Sequence, residues 1–152
     1  MELNHKILKS WVLPENTFAG NSIESKAILA GDHHLPWAYF EGSIHKDKYG
    51  KGTVMVWDIG KYECPDLVYN ISILNSGRYD NNSNISFKLY GEKIKGDFLL
   101  QYKKVYNDHI YWNFKKIRNG INTKTHPAIP FNVSALSGSI IEDIRKETAI
   151  NI

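Results

Sequence analysis

One run constrains the fold of this chain more than any other. Thr53-Val54-Met55-Val56-Trp57 stands between Gly50, Gly52 and Gly60. β-branched and aromatic side chains suit an extended, pleated backbone, and the glycines permit the turns that end it. Residues 40–58 thus predict a strand end, a glycine-rich turn and a long buried strand over 52–58, with the Trp57 ring in the core.

Similar short runs lie on both sides. Strands are predicted over 7–13, stopped by Pro14, and over 26–30, 37–40, 85–90 and 94–105, the last two forming a hairpin about Gly91-Glu92-Lys93. Residues 109–117 alternate Ile110, Trp112 and Phe114 with more polar neighbours, the period of a half-buried strand. Residues 60–66 read as a bend, 67–74 as a strand or a short helix, and 75–84 (NSGRYDNNSN) as a mobile turn tip. About eight short strands with few helices imply an all-β, closed or nearly closed barrel. A short helix is expected over 140–147. The division is a barrel domain over 1–119 and a C-terminal arm over 120–152, packed on the barrel or loosely ordered.

Composition narrows the class. A length of 152 residues with 42% hydrophobic and 23% charged content suits one soluble domain. The single cysteine, Cys64, excludes an internal disulfide and fits a reducing cytosol. No apolar run approaches the ~20 residues of a membrane helix, and MELNHKILKS lacks the apolar region of a secretory signal, so a cytoplasmic protein with no membrane partner is expected. Net charge is only +3, but from Lys88 to Lys124 nine cations stand against Glu92, Asp97 and Asp108, which leaves −3 for the rest. That asymmetry suits either a face that meets phosphates or solvated outer strand faces guarded by lysine.

Four ordered segments carry a resemblance. They are Leu8-Lys9-Ser10-Trp11 with Pro14, the stretch FEGSIHKDKYGKGTVMVWDIG from Phe40, Leu89-Tyr90-Gly91-Glu92-Lys93-Ile94-Lys95-Gly96, and SALSGSIIEDI from Ser134. Together they resemble the 3′-phosphoesterase domain of bacterial and archaeal DNA ligase D, the last segment being similar to the stretch just after that domain in the full ligase. The resemblance implies a β-barrel, manganese-dependent processing of DNA 3′ ends, and as partners DNA 3′ ends and an end-joining ligase or polymerase.

The same resemblance makes specific expectations about the site. In the family, two histidines and an aspartate in a His-x-x-x-x-x-His-x-Asp-x-Arg segment hold the ion, just ahead of the Leu-Lys-Ser-Trp strand. Met1-Glu2-Leu3 resembles the tail of that segment's strand, so these ligands are expected to fall outside this sequence and no metal ligand within it. His33 falls on the family's active-site histidine and is the expected catalytic residue. Gly31 replaces a functional glutamate, Trp37 a tyrosine and Glu15 a basic residue. Ser25 stands where the family has an arginine, with Lys26 as substitute if the register slips by one. Phosphate or nucleic-acid contacts are expected from Lys26, Lys93, Lys95, Lys115 and Lys116.

His33, His34 and His45 gather near one turn, and adjacent strand residues point to opposite faces. They form either a replacement metal site or a surface turn with one buried and one exposed imidazole. Asp32 is expected to cap that turn, and Cys64, beside Pro65 without a partner histidine, is not expected to be a nucleophile. Three functions fit: a catalytically impaired relative of the phosphoesterase, linked to DNA end processing; an active enzyme whose metal-binding segment lies upstream; or a non-enzymatic barrel that binds nucleic acid through aromatics and lysines.

Overall fold

In residues 84–116 apolar and polar side chains alternate, and the apolar set turns to one side of a sheet. The computed structural model of the chain describes residues 1–3, 6–19, 22–44, 52–117 and 132–150. Its strands are β1 (Glu2–Leu3), β2 (Ile7–Leu8), β3 (Trp11–Val12), β4 (Glu24–Leu29), β5 (His33–His34), β6 (Gly42–Ile44), β7 (Gly52–Val54), β8 (Gly60–Glu63), β9 (Asn84–Gly91), β10 (Lys95–Tyr106) and β11 (His109–Lys116). A 3-10 turn covers Leu35–Tyr39, and the helices are α1 (Leu67–Ser76) and α2 (Ile141–Ile150).

Six strands form the main antiparallel sheet in the order β3-β4-β11-β10-β9-β8, and it curls into a half-barrel. Its inner face carries Ala27, Ile85, Phe87, Phe98, Leu100, Trp112 and Phe114, all buried. Phe98 lies opposite Phe87 in the register and stacks on Phe114 at 5.2 Å. Trp112 meets Trp11, Tyr79 and Tyr102 at 6.1, 5.2 and 5.8 Å, each at a steep angle. Edge-to-face packing of this kind adds to the area effect and fixes the rings in place. Two small sheets flank the main one, β1-β2-β5 and the hairpin β6-β7.

The expected closed or nearly closed barrel of eight strands does not form. The main sheet is open, with β3 and β8 as its edges. Two runs expected to be strands do not join it. Residues 37–40 fall largely in the 3-10 turn, because Pro36 at its start fixes φ and has no N–H for a ladder. Strand β7 stops at Val54, residues 55–58 lie outside the strands, and Trp57 is half-buried, stacked on Phe18 at 5.3 Å, outside the buried core.

Other boundaries also move. Residues 60–63 are strand β8, not a bend: a Cβ on Gly60 would collide with the Tyr90 carbonyl, and only glycine permits its pairing with Gly91. Residues 67–76 resolve as the helix α1, closed by Gly77 at φ 65°. Cys64 is a packing residue, accepting from the buried Asn70 amide at 3.0 Å and facing the Ser86 carbonyl at 3.4 Å. In the polar segment beyond α1, Tyr79 is half-buried against Tyr102 and Trp112.

The C-terminal residues 132–150 dock on the chain's middle. The Ala135 amide donates to the Val56 carbonyl at 2.9 Å, Ser134 Oγ to Glu41, and Arg145 Nε to Thr53 Oγ1 at 3.3 Å. Ile144 buries against the β6-β7 hairpin. The expected turn at Gly50 and Lys51, together with His5, His45, Arg118, Lys124 and His126, lies outside the described residues.

Candidate functional site

His33 sits on β5, paired with Leu8 of β2, and its ring is half-buried. Ser10 Oγ lies 3.1 Å from Nδ1, and the edge of Trp37 packs at 6.2 Å. His34, next in the strand, is exposed on the opposite side, as the pleat requires. Asp32, expected as a turn cap, instead forms an ion pair with Lys9 at 2.9 Å.

Beside Ser10 and Trp37 opens a groove of about 890 Å³, walled by Phe18, Phe40, Trp57 and Tyr62 with Leu89 and Ile94 also lining it. Phe18 and Trp57 stack at 5.3 Å, and Trp37 and Phe40 meet at 4.7 Å. Trp37 remains 46% exposed, so one aromatic ring of the wall is open to solvent.

The neighbouring positions carry little charge. Ser25 lies on the inner side of β4, opposite Phe114, where its hydroxyl accepts from Thr17 Oγ1 at 3.2 Å. Lys26 follows on the other face, exposed and opposite Asn113. Gly31 and Glu15 are exposed, and a Cβ on Gly31 would meet nothing within 4 Å.

The lysines singled out from the sequence go to different places. Lys95 is exposed at the start of β10, opposite Tyr90. Lys115 and Lys116 alternate: Lys116 lies opposite Phe98 on the inner side, its ammonium 6.0 Å from that ring, while Lys115 lies opposite Leu99 and Glu24 on the outer side. Lys93 reaches the Val133 carbonyl and sits 5.0 Å over the Trp57 ring. Burial lowers its pKa below the ordinary lysine value, with Asp58 acting against that shift. The five lysines therefore do not form one basic face.

What holds Lys93 there is a residue that sequence reasoning passed over. Asp58 Oδ1 accepts from the amides of Ile59 at 2.9 Å, Glu92 at 2.8 Å and Lys93 at 3.2 Å, and Oδ2 from Ile94 at 2.8 Å. One carboxylate thereby satisfies the turn of the β9-β10 hairpin from across the fold. Gly91 must be glycine for this, since a Cβ would collide with Asp58 Oδ2 and lie 2.8 Å from the Ile94 carbonyl. The readable signal was an acid just before Gly60 and a tight Gly-Glu-Lys turn whose amides need an acceptor.

A divalent ion needs several imidazole or carboxylate donors converging on one point. Among the described residues no three of His, Cys, Asp and Glu do so. Asp32 is ion-paired with Lys9, and without converging donors the described residues do not fit the manganese that the resemblance implies.

Comparison with known proteins accounts for these segments. The model of the DNA Ligase D 3'-phosphoesterase domain matches residues 1–102. The multifunctional non-homologous end joining protein LigD of Pseudomonas aeruginosa is 32% identical over 113 residues, 74% of this chain and 12% of that protein. Its counterpart in Mycolicibacterium smegmatis is 27% identical over 143 residues, 94% of this chain and 18% of the other. The multifunctional non-homologous end joining DNA repair protein LigD of Mycobacterium tuberculosis is 42% identical over 94 residues, 62% of this chain and 11% of that protein. The chain thus spans less than a fifth of the length of these relatives. With the match running from β1 into β10, a range that includes the His33 strand and the Asp58 clamp, the chain belongs to the DNA ligase D 3′-phosphoesterase domain family.

Proposed function

We propose that this domain serves end-joining repair by engaging DNA 3′ ends, beside an end-joining ligase or polymerase, with its own phosphoesterase chemistry impaired. The observation that carries the reading is the surroundings of His33: its described polar partner is the neutral hydroxyl of Ser10, and Ser25 is turned to Thr17. Cleaving a phosphate ester needs charge placed where the transition state gathers it, from a metal ion or from arginine and lysine. Gly31 and Trp37 add none, and Lys26 lies on the outer face of β4.

The test is a primer–template carrying a 3′-phosphate or a single 3′-ribonucleotide, incubated with the protein and manganese and resolved on a denaturing gel. The primer is expected to stay unchanged. Manganese-dependent trimming that disappears in His33→Ala would instead establish an active phosphoesterase.

A further inference from the structure

We propose that the projecting end of the β10-β11 hairpin is a contact for the phosphate backbone of duplex DNA, made by Lys103 and Lys104. The proposal rests on the end-joining reading and adds a surface to it. The last β9 partner of β10 is Asn84, opposite Gln101, and the last β4 partner of β11 is Ile28, opposite Tyr111. Residues 105–106 and 109–110 therefore leave the sheet as a two-stranded ribbon, roughly 7 Å long at about 3.3 Å per residue, with Lys103 and Lys104 at its base. Asn107 and Asp108 close it at φ 47° and 62°, the paired left-handed geometry of a two-residue hairpin turn.

The register arms one face of this ribbon. Tyr102 lies opposite Trp112 and Lys104 opposite Tyr111, so Lys103 is the extra residue of a β-bulge. A bulge re-aims the side chains beside it, and here it brings two consecutive lysines to the same outer face. Lys103 Nζ donates to Gln101 Oε1 at 2.9 Å, and Lys104 Nζ lies 5.5 Å over the Tyr106 ring. Opposite them the rings of His109 and Tyr111 meet edge-on at 6.4 Å. Two ammonium groups, two phenol rings and an imidazole thus share one face, and the sole carboxylate between 101 and 111 is Asp108 at the turn.

Elsewhere on the outer sheet face Lys26, Lys61 and Lys95 lie opposite Asn113 or Tyr90, while two further lysines meet carboxylates. Lys88 lies between Asp97 and Glu63 in the register, and Lys115 lies opposite Glu24. Those carboxylates offset the lysines there, whereas the ribbon has no such partners on its strands. A two-stranded ribbon also has the cross-section that the major groove admits, and lysine on a flexible stem follows phosphates without reading bases. Beside the ribbon's base β4 leaves the sheet, and the chain reaches His33 after Ala30, Gly31 and Asp32. A duplex held on the ribbon would lie at the end of the sheet from which the chain runs to the candidate site.

The test is fluorescence anisotropy with a 5′-labelled duplex bearing a 3′ overhang, titrated from about 50 to 200 mM salt, where phosphate contacts dominate the salt dependence. Wild type is compared with the double variant Lys103→Gln, Lys104→Gln and with Lys61→Gln, Lys88→Gln on β8 and β9, each checked for an unchanged melting temperature. Loss of two phosphate contacts should flatten the log–log salt slope by about two and weaken binding about 10- to 100-fold at 0.1 M salt, with a smaller change in the control pair. A ribbon variant with wild-type slope and affinity, or an equal loss in the control pair, overturns the ribbon and leaves the end-joining reading standing. Wild-type protein that binds no duplex at the lowest salt removes both.

Discussion

Trp112→Ala is expected to lower the unfolding free energy by about 3–5 kcal/mol, the range for removing a buried aromatic ring from a packed core. Trp112 is 1% exposed and stands at the centre of the Trp11, Tyr79 and Tyr102 contacts, so truncation leaves a cavity with rigid walls. Trp57→Ala is the informative comparison. Its ring is half-buried against Phe18 and the groove, so its loss should cost clearly less. Urea denaturation of both variants checks the order. A larger loss at Trp57 than at Trp112 would mean that the 55–58 segment belongs to the core after all.

Asp58→Ala should cost roughly 2–4 kcal/mol, because hydrogen bonds to a charged acceptor are worth more than neutral ones and half-buried amides lose their partner. Three of the four donors, Glu92, Lys93 and Ile94, belong to the β9-β10 turn. The change should therefore appear both as a lower urea midpoint and as faster hydrogen exchange at those amides. Gly91→Ala attacks the same clamp from the other side, since its Cβ would collide with the Asp58 carboxylate. If Asp58→Ala melts like wild type while exchange at Glu92 to Ile94 is unchanged, the clamp does not hold the turn.

How much of this was legible in the sequence depended on the range of the interaction. The β9-β10 hairpin and β11 could be read because their alternation and turn residues are local, and all three strands formed within a residue or two of expectation. The 3-10 turn was missed because Trp37 and Phe40 have strand-like side chains, and Pro36 decided against them. Lys115 and Lys116 were both expected to contact phosphate, and period-two geometry sends neighbours in a strand to opposite faces. The Lys103 bulge left no glycine to announce it, and the Asp58 clamp joins residues more than thirty positions apart, which no spacing rule covers. His33 was placed by resemblance; its Ser10 and Trp37 neighbours came from packing that the sequence does not display.

The proposed impairment of phosphoester chemistry around His33 is read most directly by metal binding. Isothermal titration of manganese into this chain is expected to give no saturable heat, since no three donors converge among the described residues. One-site binding that vanishes in His33→Ala, with the fold intact by circular dichroism, would contradict it and place a working metal centre beside the groove.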